Sequence, residues 1–293
     1  MFLRYFRNGK YFGRKGPLQK KEASFRGILK IMGKNETNCP GIWLSSFTQV
    51  MFKVMGKTAL ITGSARRIGK GIALHLASRG WNLALHYNKS NRAAERLQSE
   101  LQKDHPEQEF VLFQSDLQNP FAVEQLISGV MDVFGELDLL VNNAAIFEAS
   151  TIRDSHFDLL DRLMMVNYRA PFLLVRDFAR KAGSGIIVNM VDTRITTSQS
   201  DYAAYNLSKK ALWELTKMAA VEFAPDIRVN AIAPGVTLPP EDKDESYLWS
   251  LARKIPMKRP GGIEPILKSL DYILDNDHLT GQLLFCDGGQ NLC

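Results

Sequence analysis

Residues 57–62, KTALIT, form a short apolar run, and a loop bounded by glycines, GSARRIG at 63–69, follows at once. Ile72, Leu74, Leu76 and Ala77 then recur at helical spacing. Strand, glycine loop and helix in that order constrain the chain strongly. They turn loop N–H groups and a helix N-terminus toward one point, where a diphosphate is stabilised. Gly63 permits the tight turn and Gly69 the close approach of backbone.

The alternation continues. Strands are predicted at 81–87, 110–115, 137–141, 185–191, 228–233 and 282–286. Helices are predicted at 91–103, 120–134, 155–181, 205–223 and 262–274, with a break or kink in the third of these at Pro171. Alternation of this kind indicates βαβ units and a sheet covered on both faces. The expected fold is α/β, a doubly wound, mostly parallel, seven-stranded Rossmann-type sheet in one domain spanning residues 55–293. Right-handed crossovers then bring the strand C-terminal ends, at Gly63, His86, Asp116, Asn142, Asp192 and Pro234, to one edge where ligands bind.

Two features at that edge carry chemistry. The second strand ends in His86, Asn88, Lys89 and Ser90, and no acid occurs between Trp81 and Arg92. An acid there holds the ribose 2′-hydroxyl of NAD. Lys89, Ser90 and Arg66 suit a 2′-phosphate instead, so NADPH is the expected cofactor. Tyr205 and Lys209 lie four residues apart, on one face of a helix. A free phenol, with a pKa of about 10, is poorly matched to proton transfer near neutrality. An ammonium beside it is expected to lower that pKa.

Composition bounds the rest. The chain has 293 residues, 45% of them hydrophobic, and a net charge of +6. Residues 1–54 hold eleven Lys and Arg against Glu22 and Glu36, so the basic excess lies there and the remainder is slightly acidic. Whole-chain charge is therefore no argument for nucleic-acid binding. Residues 1–54 are read as a disordered basic extension. Alternatives are a translation start at Met51 or Met55, or a phosphate-binding tail. No run of 18 apolar residues predicts a membrane span. Cys39, Cys286 and Cys293 show no metal-type spacing, which fits a reduced, cytoplasmic setting and no metal.

Residues 55–289 resemble the short-chain dehydrogenase/reductases. The resemblance rests on the glycine loop at 62–69, Asp116, NNA at 142–144, Asn167, YxxxK at Tyr205 and Lys209, Pro234-Gly235, and TG…DGG at 280–289. Two departures are informative: Arg67 stands where the family usually has glycine, and Asp192 stands where it usually has a catalytic serine. Both, with LHYNKS, NMVD and Phe147, resemble the pteridine reductase branch. The ending DGGQNLC and the acidic PPEDKDESY segment look closer still to dihydromonapterin reductases.

The resemblance implies a catalytic set of Tyr205, Lys209, Asp192 and Asn167, the last positioning a water. It implies cofactor contacts from Gly63, Arg66, Arg67, Ile68, Gly69, His86, Asn88, Lys89, Ser90, Asp116, Leu117, Asn143, Ala144, Lys209, Pro234, Gly235 and Thr237. It implies substrate contacts from Arg67, Phe147, Asp192 and Tyr205, and a homotetramer or homodimer. The implied reaction is NADPH-dependent reduction of a small-molecule dihydropterin or dihydrofolate, with no nucleic-acid or membrane partner. A carboxyl at 192 would repel a developing alkoxide but could serve a ring nitrogen that takes up a proton, and burial would raise its pKa. Phe147 could stack on a pterin face, although core packing is the alternative without the resemblance. Residues 238–254 lie where a substrate lid would sit. The competing functions are a generic NADPH ketoreductase, such as a 3-oxoacyl-acyl-carrier-protein reductase, and a non-catalytic nucleotide sensor.

Overall fold

A computed structural model describes residues 56–239 and 243–293. The basic extension expected at residues 1–54 lies outside the described residues. Seven strands form one sheet in the order β3-β2-β1-β4-β5-β6-β7. They are β1 (Thr58–Ile61), β2 (Asn82–Tyr87), β3 (Phe110–Gln114), β4 (Leu139–Asn142), β5 (Gly185–Met190), β6 (Ile227–Pro234) and β7 (Leu283–Cys286). All six neighbouring pairs are parallel, so the sheet is wholly rather than mostly parallel.

Strand alternation sorts the core onto two faces. Leu60, Leu140, Ile187 and Ala231 point to one face, against α3 (Pro120–Phe134), α5 (Ala170–Lys181) and α6 (Ala203–Phe223). Ile61, Val141, Val188 and Ile232 point to the other, against α1 (Arg67–Ser78), α2 (Asn91–Asp104) and α8 (Glu264–Asp275). Local chemistry sets the ends of α3. Asn119 accepts from Phe121 N at 3.1 Å, Pro120 sits in the first turn, and Gly135 closes the helix at φ 76°.

The predicted helix 155–181 is interrupted. An α-helix, α4 (Phe157–Met164), passes into a π-helical turn, Met165–Arg169, and then into α5. Pro171, without an N–H, lies in the first turn of α5. The break falls just before the proline, as its chemistry predicts. A further helix, α7 (Glu245–Ala252), lies inside the predicted lid region. Asp244 caps it by accepting from Tyr247 N at 3.1 Å.

The sheet's C-terminal edge is cross-braced. Thr62 Oγ1 accepts from Asn143 N (2.9 Å) and Ala144 N (3.0 Å), while Asn143 Nδ2 donates to Thr62 O (2.9 Å). One layer deeper, Asn142 donates to Asn189 (2.8 Å) and Asn189 to Thr216 (2.9 Å), all buried. Gly69 packs where no side chain fits: a Cβ would stand 2.2 Å from Gly63 O and 2.7 Å from Asn143 Nδ2. Gly69→Ala is expected to cost roughly 2–4 kcal/mol by forcing the glycine loop off the Asn143 turn, measured as a lower urea midpoint.

Candidate active site

The end of β5 delivers Asp192, which is extended and caps the short 3-10 turn Thr193–Thr196. Its Oδ1 accepts from Arg194 N at 2.8 Å. Its Oδ2 accepts from the Tyr205 hydroxyl at 2.7 Å. Tyr205 and Lys209 project from one face of α6, both buried. Lys209 Nζ donates to Met190 O at 2.7 Å. The three chemistry-bearing side chains therefore converge just beyond one strand end.

Burial dominates their protonation. It pushes the Asp192 carboxyl up, against the opposing pull of Arg194 N, Tyr205, Lys209 and the Arg194 charge. Burial, then the neighbouring Asp192 charge, holds the Tyr205 phenol well above its ordinary range. This corrects the expectation that Lys209 lowers the tyrosine. The hydroxyl faces a carboxylate, and the ammonium is turned to a backbone carbonyl. Burial also brings Lys209 down to about 8.

Asn167 sits in the π-helical turn with no exposed surface. Its Oδ1 accepts from Ile146 N (2.8 Å), and its Nδ2 donates to Ile146 O (2.9 Å) and Ser208 Oγ (3.1 Å). Both amide hydrogens are thus spent on protein, and the residue pins the segment carrying Phe147. Phe147 is not core: it is 53% exposed. Its ring stacks on Tyr202 at 4.5 Å and meets Tyr205 edge-on at 4.7 Å.

Most of the residues expected to hold the cofactor fall into two groups. Gly63, at φ 65°, Arg66, Arg67, Ile68 and Gly69 form the loop before and into α1, with Asn143 and Ala144 braced against it. Asn88, Lys89 and Ser90 follow β2, and Asn88 Nδ2 donates to Asp116 at 3.1 Å. Four others face the protein. His86 is buried, takes Gly63 N on Nδ1 (3.1 Å) and bonds Ser115 O through Nε2 (3.1 Å). Burial lowers its pKa to about 4, so it is a neutral brace for the loop and no cation for a phosphate. The Leu117 side chain lies in the core. Gly235 packs on Asp287, where a Cβ would meet Asp287 Cβ at 2.6 Å. Buried Thr237 Oγ1 donates to Gly235 O at 3.1 Å, just past Pro234 at the end of β6.

Arg67 adopts φ 53°, the left-handed region that favours glycine. Its Nη1 donates to Pro239 O at 2.6 Å, tying the glycine loop to the segment after Thr237. A brace that sequence spacing could not reveal joins Thr193 Oγ1 to Asp287 Oδ2 at 2.6 Å. Asp287 also accepts from Gly289 N (3.0 Å) and Asn291 N (2.7 Å), so the residue after Asp192 is held by the loop after β7.

A nicotinamide dinucleotide fits these residues. The backbone at Gly63 and Gly69 is bare of side chain, the loop runs into a helix N-terminus, and no acid follows β2. Buried Lys209 has three donors, and Met190 O takes one. Among the described residues no group of three His, Cys, Asp or Glu side chains is placed to hold a metal. Among them, too, no helix is long and apolar enough to cross a membrane.

The comparisons agree with that geometry. The short-chain dehydrogenase model described as Enoyl-(Acyl carrier protein) reductase matches residues 63–291. The chain belongs to the short-chain dehydrogenase/reductase family, whose members bind a nicotinamide cofactor, and is an oxidoreductase of that class. Among curated relatives, Pteridine reductase 1 of Leishmania tarentolae is 29% identical, over 80% of this chain and 96% of its own. The 3-oxoacyl-acyl-carrier-protein reductase FabG of Staphylococcus epidermidis is 30% identical, over 80% of this chain and 99% of its own. A crystal structure of FolM Alternative dihydrofolate reductase 1 from Brucella suis, in complex with NADP, superposes with a TM-score of 0.76 at 35% identity, covering 82% of this chain and 96% of that one.

The sign of the Lys209 effect is testable. A folded pKa of about 8 against an ordinary 10.5 means the unfolded chain binds more protons between those values. Stability therefore rises with pH across that window, by on the order of 3 kcal/mol in total. In Lys209→Met that rise is expected to vanish, measured by urea unfolding of the cofactor-free protein at pH 8, 9 and 10.

Proposed function

We propose that this protein is an NADPH-dependent reductase of a dihydropterin or dihydrofolate. Overall likeness does not choose the substrate, because the pteridine reductase and the acyl-carrier-protein reductase are almost equally similar at 29% and 30%. The observation that carries the reading is the 2.7 Å hydrogen bond between the Asp192 carboxylate and the Tyr205 hydroxyl. A ketone reduced here would develop negative charge on oxygen, which costs energy wherever Asp192 is ionised. A C=N group reduced here would develop a basic nitrogen beside a carboxyl whose pKa burial has raised.

When bound, NADPH supplies the hydride to the C=N carbon. The chain's residues supply the proton and the orientation. Asp192 is the better matched acid of the pair, since its pKa moves up toward neutrality while the phenol's moves further from it. Tyr205 orients the carboxyl and can relay its proton. Lys209 keeps donors for ribose hydroxyls. Phe147, held by Asn167 through Ile146, offers an aromatic face to a flat heterocycle. Preference for NADPH over NADH is supported by the acid-free stretch after β2, where Lys89 and Ser90, with Arg66 of the glycine loop, suit a 2′-phosphate. Homo-oligomerisation belongs to the same proposal, since Val133, Phe172, Met218 and Val221 leave apolar surface exposed on α3, α5 and α6.

Asp192→Ser restores the family's usual residue and tests the assignment. NADPH oxidation with dihydropterins is expected to fall by about 10²–10⁴-fold, and activity with acetoacetyl thioesters not to fall with it. Undiminished pterin turnover in the variant would remove Asp192 from the mechanism.

A further inference from the structure

The rim of the site carries a cluster that proton transfer does not use. Tyr202, three residues before Tyr205, lies parallel to Phe147 with 17° between the rings. The Arg194 guanidinium lies over the other aromatic partner, 4.5 Å from the centre of the Tyr202 ring. Its Nη1 donates to Asp201 at 3.3 Å. Phe147, Tyr202 and Arg194 therefore form a continuous stack that starts edge-on at the reactive phenol. Its far end is open to solvent, with the Arg194 side chain 26% and the Asp201 side chain 54% exposed. The Arg194 charge is felt at the reacting groups as well, where it pulls down against the burial of both Asp192 and Tyr205.

A cation capping an aromatic stack at the rim of the site matches a ligand that ends in a carboxylate beyond an aromatic ring. It offers little to a ligand that ends in a short hydroxylated chain. We infer that Arg194, held over Tyr202, forms the carboxylate subsite for the aromatic-carboxylate arm of a folate-type substrate, exchanging Asp201 for the substrate carboxylate. The inference rests on the pterin reading above. The exchange is cheap, because an exposed pair held by one long hydrogen bond contributes little. A bidentate guanidinium–carboxylate contact is stronger and more specific. Asp201 then acts as an internal competitor for the arm.

The test compares dihydrofolate with dihydrobiopterin, reading the ratio of their kcat/KM values with NADPH and the ratio of the Kd values of folate and biopterin by calorimetry. Arg194→Met is expected to lower the preference for the folate by about tenfold in both readouts. Arg194→Lys is expected to fall between that variant and the parent. Asp201→Asn is expected to raise the preference by roughly two- to threefold. If Arg194→Met does not fold, the other two variants decide the matter. Ratios that stay fixed, or that move with the opposite signs, overturn the subsite while the pterin reading stands. Absence of turnover with both substrates in the parent protein overturns the pterin reading and the subsite together.

Discussion

The hydrogen bond from Tyr205 to Asp192 depends on exclusion of water. In solvent a carboxylate and a phenol six units apart in pKa would exchange protons with water and have little effect on each other. Here Tyr205 is buried and Asp192 half-buried at the end of β5, and Lys209 is buried beside them. Each group then feels the others' charge through a medium that screens it poorly. Much of the surrounding structure serves this enclosure. The parallel sheet sets β5 between β4 and β6, α6 lays its tyrosine and lysine across the strand exit, and Asp287 fixes the residue next to the acid.

The frame is a set of local decisions that agree. Apolar alternation places strands, glycines open the loop before α1, and caps at Asn119 and Gly135 set a helix length. The site departs from such local rules: an arginine takes a left-handed conformation at Arg67, a lysine is buried, and a π-helical turn interrupts a long helix. Departures of this kind are sustained only where surrounding contacts over-determine them. Arg67 has the carbonyl of Pro239, and Asn167 has both backbone groups of Ile146.

Periodicity and spacing are why so much was legible in sequence. Every predicted strand exists within one or two residues, because a strand buried on both faces is a short apolar run whatever packs on it. Tyr205 and Lys209 could be paired because four residues make one helical turn. What escaped depended on distance in space. The direction of the tyrosine's pKa follows from burial and from a carboxylate thirteen residues away. His86 stands at a strand end, where a cofactor contact is expected, yet both nitrogens are taken by backbone. Thr193 and Asp287 are 94 residues apart. The helix α7 gave no apolar period in its acidic stretch, and Asp244 at its start is recognisable as a cap only once the helix is known.

The π-helical turn has a further consequence. A turn of this type has the geometry left by one residue inserted into an ordinary α-helix. Losing that residue would restore the α-helical ladder and rotate everything on one side of the cut by about 100° relative to the other. Asn167 would then swing off Ile146, although both ends of the helix pair could still pack. Related chains that differ by a single deletion in this stretch would keep the fold and lose the clamp, so alignment gaps here mark a change in the site rather than tolerated length variation.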